Sequence, residues 1–119
     1  MKSYRDLIVW QKSIQLVKEI YRVTKRFPKE ELYGITPQIR RSAISIPSNI
    51  AEGYGRNSTN DYLRFLQISS GSLYELQTHL EISISLNYLP GEDFERLYEQ
   101  SMEIERMLSS LIRKLGTYK

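Results

Sequence analysis

Apolar residues recur every three to four positions along four stretches of the chain, a spacing that predicts amphipathic helices rather than strands. The three connections between these stretches are short and rich in proline, glycine and asparagine, which interrupt helices. Four helices joined by short connections favour an all-α fold, an antiparallel up-down four-helix bundle. At 119 residues the chain is expected to form a single domain spanning residues 1–119.

The first predicted helix runs from about Asp6 to Arg26 and ends before Pro28, because proline disfavours the helical conformation in the preceding residue. Its apolar residues form two adjoining stripes, a wider surface than one neighbouring helix requires. The first stripe comprises Val9, Leu16, Ile20, Val23 and Phe27, and the second comprises Trp10, Ile14, Val17 and Tyr21. We expect the second stripe to contact a further partner, such as another subunit.

The second predicted helix begins at Thr36 and Pro37, which suit the N-cap and the first helical position. It extends to about Glu52 and is expected to end at Gly53 and Gly55.

Pro47 lies inside the second helix, where it removes a backbone hydrogen bond, so we predict a kink at that residue. Asn49 and Glu52 follow on the same helix, and if they are partly buried they must be paired. We interpret these two residues as a structural polar network beside the kink rather than as catalytic groups.

The third helix is predicted over about residues 59–86, with Ser58 as its cap and Asn87 in a left-handed conformation at its end. The fourth helix is predicted to follow Pro90 and to end at Gly116. Its apolar seam is a heptad pattern typical of near-parallel helices: Phe94, Leu97, Ser101, Ile104, Leu108, Leu111 and Leu115.

The composition excludes several classes of function. With no cysteine, the chain can form neither disulfides nor cysteine-based metal sites. The longest apolar run, Leu7–Trp10, is far shorter than the roughly 20 residues of a membrane span, so we expect a cytoplasmic protein without membrane contact. The one histidine, His79, lies four residues after Glu75, but metal sites in bundles require more ligands than this pair. We therefore expect no metal, no cofactor and no catalytic residue.

Positive charge is concentrated in the first half of the chain. Residues 1–64 carry a net charge of +6 and residues 65–119 a net charge of −3, which favours an anionic partner. In an up-down bundle, basic residues collect at the end that holds both termini, whereas acidic residues offset the basic ones at the other end. The candidate nucleic-acid contacts at the basic end are Arg5, Arg56, Arg64, Arg113 and Lys114, and a basic row on the first helix adds Lys18, Arg22 and Lys25. Tyrosines close to the basic end, Tyr4, Tyr54, Tyr62 and Tyr118, would allow base stacking.

Several motifs together resemble a known family over about residues 4–115. They are Tyr4-x-x-Leu7-x-x-Trp10, Phe27-Pro28-x-x-Glu31-x-Tyr33-Gly34, Gln38-Ile39-Arg40-Arg41-Ser42-Ala43, Ser45-Ile46-Pro47-Ser48-Asn49-Ile50-Ala51-Glu52-Gly53 and Gly71-Ser72-x-x-Glu75-Leu76. The chain is similar to the four-helix-bundle proteins encoded within intervening sequences of bacterial 23S ribosomal RNA genes. Ser42 replaces a common alanine and Asn87 a common glycine, and both are mild departures.

The resemblance implies an up-down bundle that assembles into a ring-shaped homopentamer without established enzymatic activity. A related group, the accessory variability proteins of diversity-generating retroelements, is similar in fold and in pentameric form. Those proteins associate with a reverse transcriptase and with nucleic acid.

Three hypotheses about function follow. The first is a non-enzymatic oligomer that binds nucleic acid, RNA in particular, through its basic surface. The second is a pentameric scaffold that recruits a protein partner and binds no nucleic acid. The third is an enzyme whose site forms between subunits around Glu52, Glu75 and His79.

Overall fold

In a computed structural model, which describes residues 2–117, the chain folds into four α-helices with no strand in that range. They are α1 (Ile8–Thr24), α2 (Ile35–Tyr54), α3 (Thr59–Ser85) and α4 (Gly91–Gly116). Short 3-10 helices at Tyr4–Asp6 and Lys29–Glu31 precede α1 and α2. The helices pack as a bundle around a hydrophobic core and measure 46 × 24 × 21 Å along the principal axes. None of the helices in residues 2–117 has both the length and the apolar character that crossing a membrane requires.

The apolar stripes predicted from the sequence form the core. On α4, Leu97, Ser101, Ile104 and Leu108 are buried, which confirms the central part of the heptad seam. The first stripe of α1 is buried as well. The second stripe stays half-buried, and its last residue, Tyr21, is 37% exposed.

The start of α2 differs from the prediction. The helix begins at Ile35 with Gly34 at the N-cap, so Thr36 is not the cap. The Glu31 carboxylate replaces a capping side chain, because it accepts the Ile35 N–H at 3.1 Å. Pro37 is the third residue of the helix, where its missing N–H is still harmless because the first four N–H groups have no partner within the helix.

The end of α2 also corrects the prediction, because Gly53 lies inside the helix and does not terminate it. Gly53 is buried against α3: a Cβ atom at this position would lie 2.8 Å from the Cβ of Phe65 and 3.0 Å from the Tyr62 ring. Glycine is therefore required for the close approach of the two helices, and α2 ends one residue later, with Gly55 as its C-cap.

The caps predicted for α3 are confirmed. Ser58 is the N-cap, and its hydroxyl accepts the Asp61 N–H at 3.1 Å. Asn87 has a φ of 64°, the left-handed conformation expected of it. The next residue, Tyr88, donates its N–H to the Ser83 carbonyl at 2.9 Å, the bond that defines a Schellman ending.

Serine hydroxyls join α2 to α3 inside the bundle. The Ser69 hydroxyl donates to the Ile46 carbonyl at 2.9 Å, and the hydroxyls of Ser45 and Ser72 lie 2.8 Å apart. The neighbouring Pro47 is buried within α2.

Charged side chains join α1 to α4 at the surface. Three ion pairs follow the length of this contact: Lys12 with Glu103 at 3.3 Å, Glu19 with Arg96 at 3.2 Å, and Arg26 with Asp93 at 3.3 Å.

Candidate nucleic-acid interface

Two of the predicted arginines meet on one aromatic ring where α2 passes into α3. The Arg56 Cζ lies 4.7 Å from the centroid of the Phe65 ring, and the Arg64 Cζ lies 4.5 Å from the same centroid. Stacking on a ring restrains a guanidinium group while its N–H edges stay able to donate to an oxyanion. The structure therefore brings two separate candidates together on Phe65, which the sequence indicates only as an apolar residue of α3.

Both stacked arginines also have a carboxylate neighbour. The Glu52 carboxylate accepts from Arg56 at 2.5 Å, and the Asp61 carboxylate lies 3.8 Å from Arg64. Exposed ion pairs of this kind contribute only about 0–1 kcal/mol. An incoming phosphate can therefore replace either carboxylate at small cost.

The other candidates of the predicted basic end are exposed and have no ion pair within residues 2–117. Arg5 follows Tyr4 and stacks on its ring at 5.4 Å. Arg113 and Lys114 lie in the last turns of α4, and Lys114 shares a groove with Asp6 of the N-terminal segment. The Asp6 carboxylate accepts two backbone N–H groups from the residues before it and is therefore occupied.

The tyrosines near these arginines contact other aromatic rings. Tyr54 and Tyr62 form an edge-to-face pair with centroids 6.1 Å apart, and burial raises the pKa of Tyr62. Tyr4 packs in a similar way on Trp10 at 5.2 Å. The fourth predicted stacking residue, Tyr118, lies outside the described residues.

The basic row of α1 is a separate surface. Lys18 and Lys25 are exposed, but Arg22 donates to the Glu19 carboxylate at 2.7 Å. This hydrogen bond is the main reason why the pKa of Glu19 is lowered, with a further contribution from Arg96. The row therefore carries a carboxylate beside its central arginine.

Asn49 and Glu52 have different partners in the structure. The Asn49 amide donates to the Ser45 carbonyl at 2.8 Å and to the Ser45 hydroxyl at 2.9 Å, which links it to the serines between α2 and α3. Glu52 is exposed and pairs with Arg56 instead. Within residues 2–117 no hydrogen bond joins Asn49 to Glu52.

His79 lies half-buried between α2 and α3. Its Nδ1 is 3.2 Å from the Ser42 hydroxyl, which itself donates to the Ile39 carbonyl at 3.0 Å. Burial lowers the pKa of His79, and the nearby Glu75 opposes this effect. Ser42 is buried, so a substrate does not reach this hydroxyl in the chain as it is folded. Residues 2–117 contain no cluster of three or more potential metal ligands.

Comparison with known proteins identifies a matching family and a solved structure with a similar fold. Residues 5–110 match the family model described as 23S rRNA-intervening sequence protein. Among solved structures, the chain is similar to a crystal structure of a protein with unknown function from the S23 ribosomal protein family of Bacteroides thetaiotaomicron VPI-5482. The TM-score is 0.83 at 29% identity, covering 88% of this chain and 98% of that chain. No curated protein matches the sequence significantly.

Proposed function

This chain belongs to the 23S rRNA-intervening sequence protein family, as its motifs indicate, and from that premise we propose that it is a non-enzymatic oligomer that associates with RNA. The observation that carries the proposal is the pair of guanidinium groups stacked on Phe65. Planar, restrained guanidinium groups suit both phosphate oxygens and the faces of unpaired bases.

We further infer that the bundle is up-down and antiparallel. The ion pairs between α1 and α4 support this, because Lys12 contacts Glu103 whereas the later residue Arg26 contacts the earlier residue Asp93. The hydrogen bonds between α2 and α3 follow the same opposite order. In this arrangement the chain termini and the α2–α3 connection share one end of a single domain, and the kink of α2 at Pro47 remains part of the proposal.

The basic end then supplies the contact surface. It consists of Arg5, Arg56, Arg64, Arg113 and Lys114, with the α1 row of Lys18, Arg22 and Lys25 as a secondary contact. Binding by such a surface neutralises phosphates and releases counterions, so it is largely independent of base sequence and weakens steeply with salt. The family is associated by its name with 23S ribosomal RNA, which favours RNA as the partner. It also favours the cytoplasm, where ribosomal RNA is found, as the location.

We propose that the second apolar stripe of α1 is covered by another copy of the chain. Trp10, Ile14 and Val17 line a groove of about 290 Å³ together with Ile44 and Pro47 of α2. A ring, pentameric as in the family resemblance, would repeat the basic end around its axis. Repetition converts weak single contacts into avidity.

The proposal is tested by fluorescence anisotropy with structured ribosomal RNA fragments and a DNA duplex at several salt concentrations. The variant R56Q/R64Q/R113Q/K114Q should bind at least tenfold more weakly and show a smaller salt slope, by about one unit for each phosphate that is no longer neutralised. The control K12Q/R26Q/R41Q removes three positive charges outside this surface and should retain affinity. Light scattering should show the same mass for all three proteins.

A stable oligomer that binds neither RNA nor DNA at low salt would contradict this proposal and favour the pentameric protein scaffold. One observation supports that second candidate. At the α1–α2 connection, Leu32 is 58% exposed and Tyr33 is 94% exposed, so apolar side chains project where a protein partner could dock.

The proposal of a non-enzymatic role rests on the surroundings of the three residues considered for an active site. Glu52 is paired with Arg56, Glu75 is exposed, and His79 contacts a serine that is buried in the bundle. An activity of the purified oligomer that E52Q abolishes without unfolding the protein would contradict it.

A further inference from the structure

A small pocket beside the α1–α2 connection is lined by cations and hydroxyl groups together with the apolar side chains of Phe27, Pro28 and Leu32. Its volume is about 180 Å³, and its polar lining consists of Thr24, Lys25, Lys29, Thr36 and Arg40. None of the acidic residues described in the structure lines it. Only Lys25 is shared with the RNA surface proposed above, so this pocket is a distinct feature of the molecule.

Arg40 is held in place by two contacts. Its Nε donates to the Thr24 hydroxyl at 2.8 Å, and its Cζ lies 4.6 Å from the centroid of the Tyr21 ring. The two terminal amino groups of Arg40 have no hydrogen-bond partner among residues 2–117. A guanidinium group fixed in this way offers a rigid pair of donors, the geometry that matches phosphate oxygens.

The carboxylates nearest in sequence, Glu30 and Glu31, do not line the pocket. Glu31 accepts the Ile35 N–H at 3.1 Å and the Tyr88 hydroxyl at 2.8 Å. Glu30 and Glu31 both contribute to raising the pKa of Tyr88, and within residues 2–117 neither forms an ion pair with Lys25, Lys29 or Arg40. The three cations of the pocket therefore have no ion-pair partner among residues 2–117, although acidic and basic residues balance at this end of the bundle in the sequence.

The size of the pocket limits what it can hold. Its volume of about 180 Å³ is below the roughly 300–1,000 Å³ of pockets that enclose a drug-sized ligand, so the pocket suits a phosphoryl group rather than a whole nucleotide. The C-terminal end of α1 and the N-terminal end of α2 meet here with opposite partial charges. These partial charges oppose each other, so the side-chain cations determine that the pocket prefers an anion.

We propose that this pocket binds the terminal phosphoryl group of a phosphate monoester. Lys25, Lys29 and Arg40 supply three positive charges, which suit a dianionic monoester better than the single charge of a phosphodiester. The hydroxyl of Thr36 is a further polar group in the lining. The same phosphoryl chemistry occurs at a phosphorylated RNA end and in a small phosphorylated metabolite.

The first test is a titration of the full-length protein with adenosine 5′-monophosphate, and with adenosine as the uncharged control, at constant ionic strength. Binding is followed by the ¹H–¹⁵N signals of the backbone and of the arginine Nε groups. We expect saturable shifts centred on Thr24, Thr36 and Arg40 with the monophosphate and none with adenosine. The variant K25Q/K29Q should bind at least tenfold more weakly, and R40K should be intermediate, because it keeps the charge but not the paired donors.

The control R41Q/R106Q removes two exposed charges outside the pocket and should bind as the unmodified protein does. Circular dichroism should show that each variant is folded. Shifts that do not saturate, or an affinity that K25Q/K29Q leaves unchanged, would overturn the proposal whatever the outcome of the RNA experiment.

A second pair of ligands distinguishes a phosphorylated RNA end from a small phosphorylated metabolite as the natural ligand. Oligoribonucleotides of one sequence are compared with a 5′-phosphate and with a 5′-hydroxyl. A preference of at least about tenfold for the phosphorylated end, abolished in K25Q/K29Q and kept in R56Q/R64Q/R113Q/K114Q, would identify RNA ends as the source. Saturable binding of the monophosphate without such a preference would identify a small metabolite.

Discussion

Between α2 and α3 the helices touch through glycine and serine, whereas α1 and α4 face each other through charged side chains. At the α2–α3 contact, Gly53 admits the Phe65 and Tyr62 side chains at close range, and Ser69 donates to a backbone carbonyl of the facing helix. At the α1–α4 contact, three ion pairs cross the surface beside a groove of about 320 Å³.

The two contacts therefore contribute to stability in different ways, one through close packing and the other through ion pairs. Close packing has few ways to relax, so a single added carbon atom forces a shift of one helix. Exposed ion pairs exchange with water and salt, so removing one changes little. The α2–α3 contact therefore sets the position of the arginine stack, while the α1–α4 contact is able to adjust.

The largest effect is expected from Gly53→Val. The new side chain overlaps the Phe65 Cβ, and we expect the free energy of unfolding to fall by about 2–3 kcal/mol. Urea unfolding followed by circular dichroism measures this decrease. Gly55→Ala is the control, because its nearest atoms are 3.7 Å away, and it should cause no decrease. An equal change in the free energy of unfolding for both variants would show that the α2–α3 contact at Gly53 is not tightly packed.

A smaller effect, of opposite sign, is expected from Gly71→Ala in the same helix as Phe65. Apart from the adjoining residues and backbone of its own helix, no atom of residues 2–117 lies within 4 Å of a Cβ at Gly71, and alanine stabilises a helix by up to about 1 kcal/mol relative to glycine. The midpoint of thermal unfolding should therefore rise. A lower midpoint together with a smaller mass in light scattering would instead place Gly71 against another copy of the chain.

Arg96→Gln tests the α1–α4 contact and should lower the free energy of unfolding by less than about 1 kcal/mol. Arg96 contacts both Glu19 and Asp93; its Nε and Nη2 atoms are buried, but the side chain as a whole is 38% exposed, so solvent and salt still partly screen the pairs. The decrease should become smaller as salt is raised in urea unfolding. A decrease of several kcal/mol that does not depend on salt would show that this contact is as rigid as the α2–α3 contact.

Stability should depend on pH in two separate ranges, one set by His79 at the α2–α3 contact and one set by Glu19 of α1, with the smaller effect at His79. Burial lowers the pKa of His79 from 6.5, so the unfolded chain takes up the proton first and stability declines as pH falls through about 6.5 toward the folded pKa. Arg22 lowers the pKa of Glu19 from 4.5, so its contribution is present above pH 4.5 and is lost as pH falls below it.

Thermal unfolding from pH 8 to pH 3 distinguishes these contributions. His79→Gln should flatten the profile as pH falls below about 6.5, whereas Glu19→Gln should flatten it only below about pH 4.5. A profile that neither variant changes would refute both assignments.

The parts of the fold that depend on neighbours in sequence follow from the sequence. Ser58 and Asn87 act as caps because a hydroxyl and a left-handed asparagine satisfy backbone groups a few residues away. The α4 seam is buried as its spacing predicts. The start of α2 is shifted because Glu31, held in a 3-10 helix before it, replaces Thr36 as the cap.

The candidate site is predictable only in its residue types. Arginine and lysine in the first half of the chain indicate an anionic partner, but their spacing does not show that Arg56 and Arg64 share the Phe65 ring. Counting charges in the sequence also does not show that Glu30 and Glu31 raise the pKa of Tyr88, or that Lys29 and Arg40 line a pocket. Each of these arrangements joins residues of different helices or connections.

The sequence determined four helices, most of their ends and the faces they bury, because hydrophobic periodicity and capping act within a few residues of each position. Only the tertiary structure decided that Gly53 serves helix packing and does not end a helix, which carboxylate meets which cation, and where cations stay unpaired. Those outcomes depend on distances of a few ångströms between side chains from different helices, and electrostatic and packing energies change steeply over such distances.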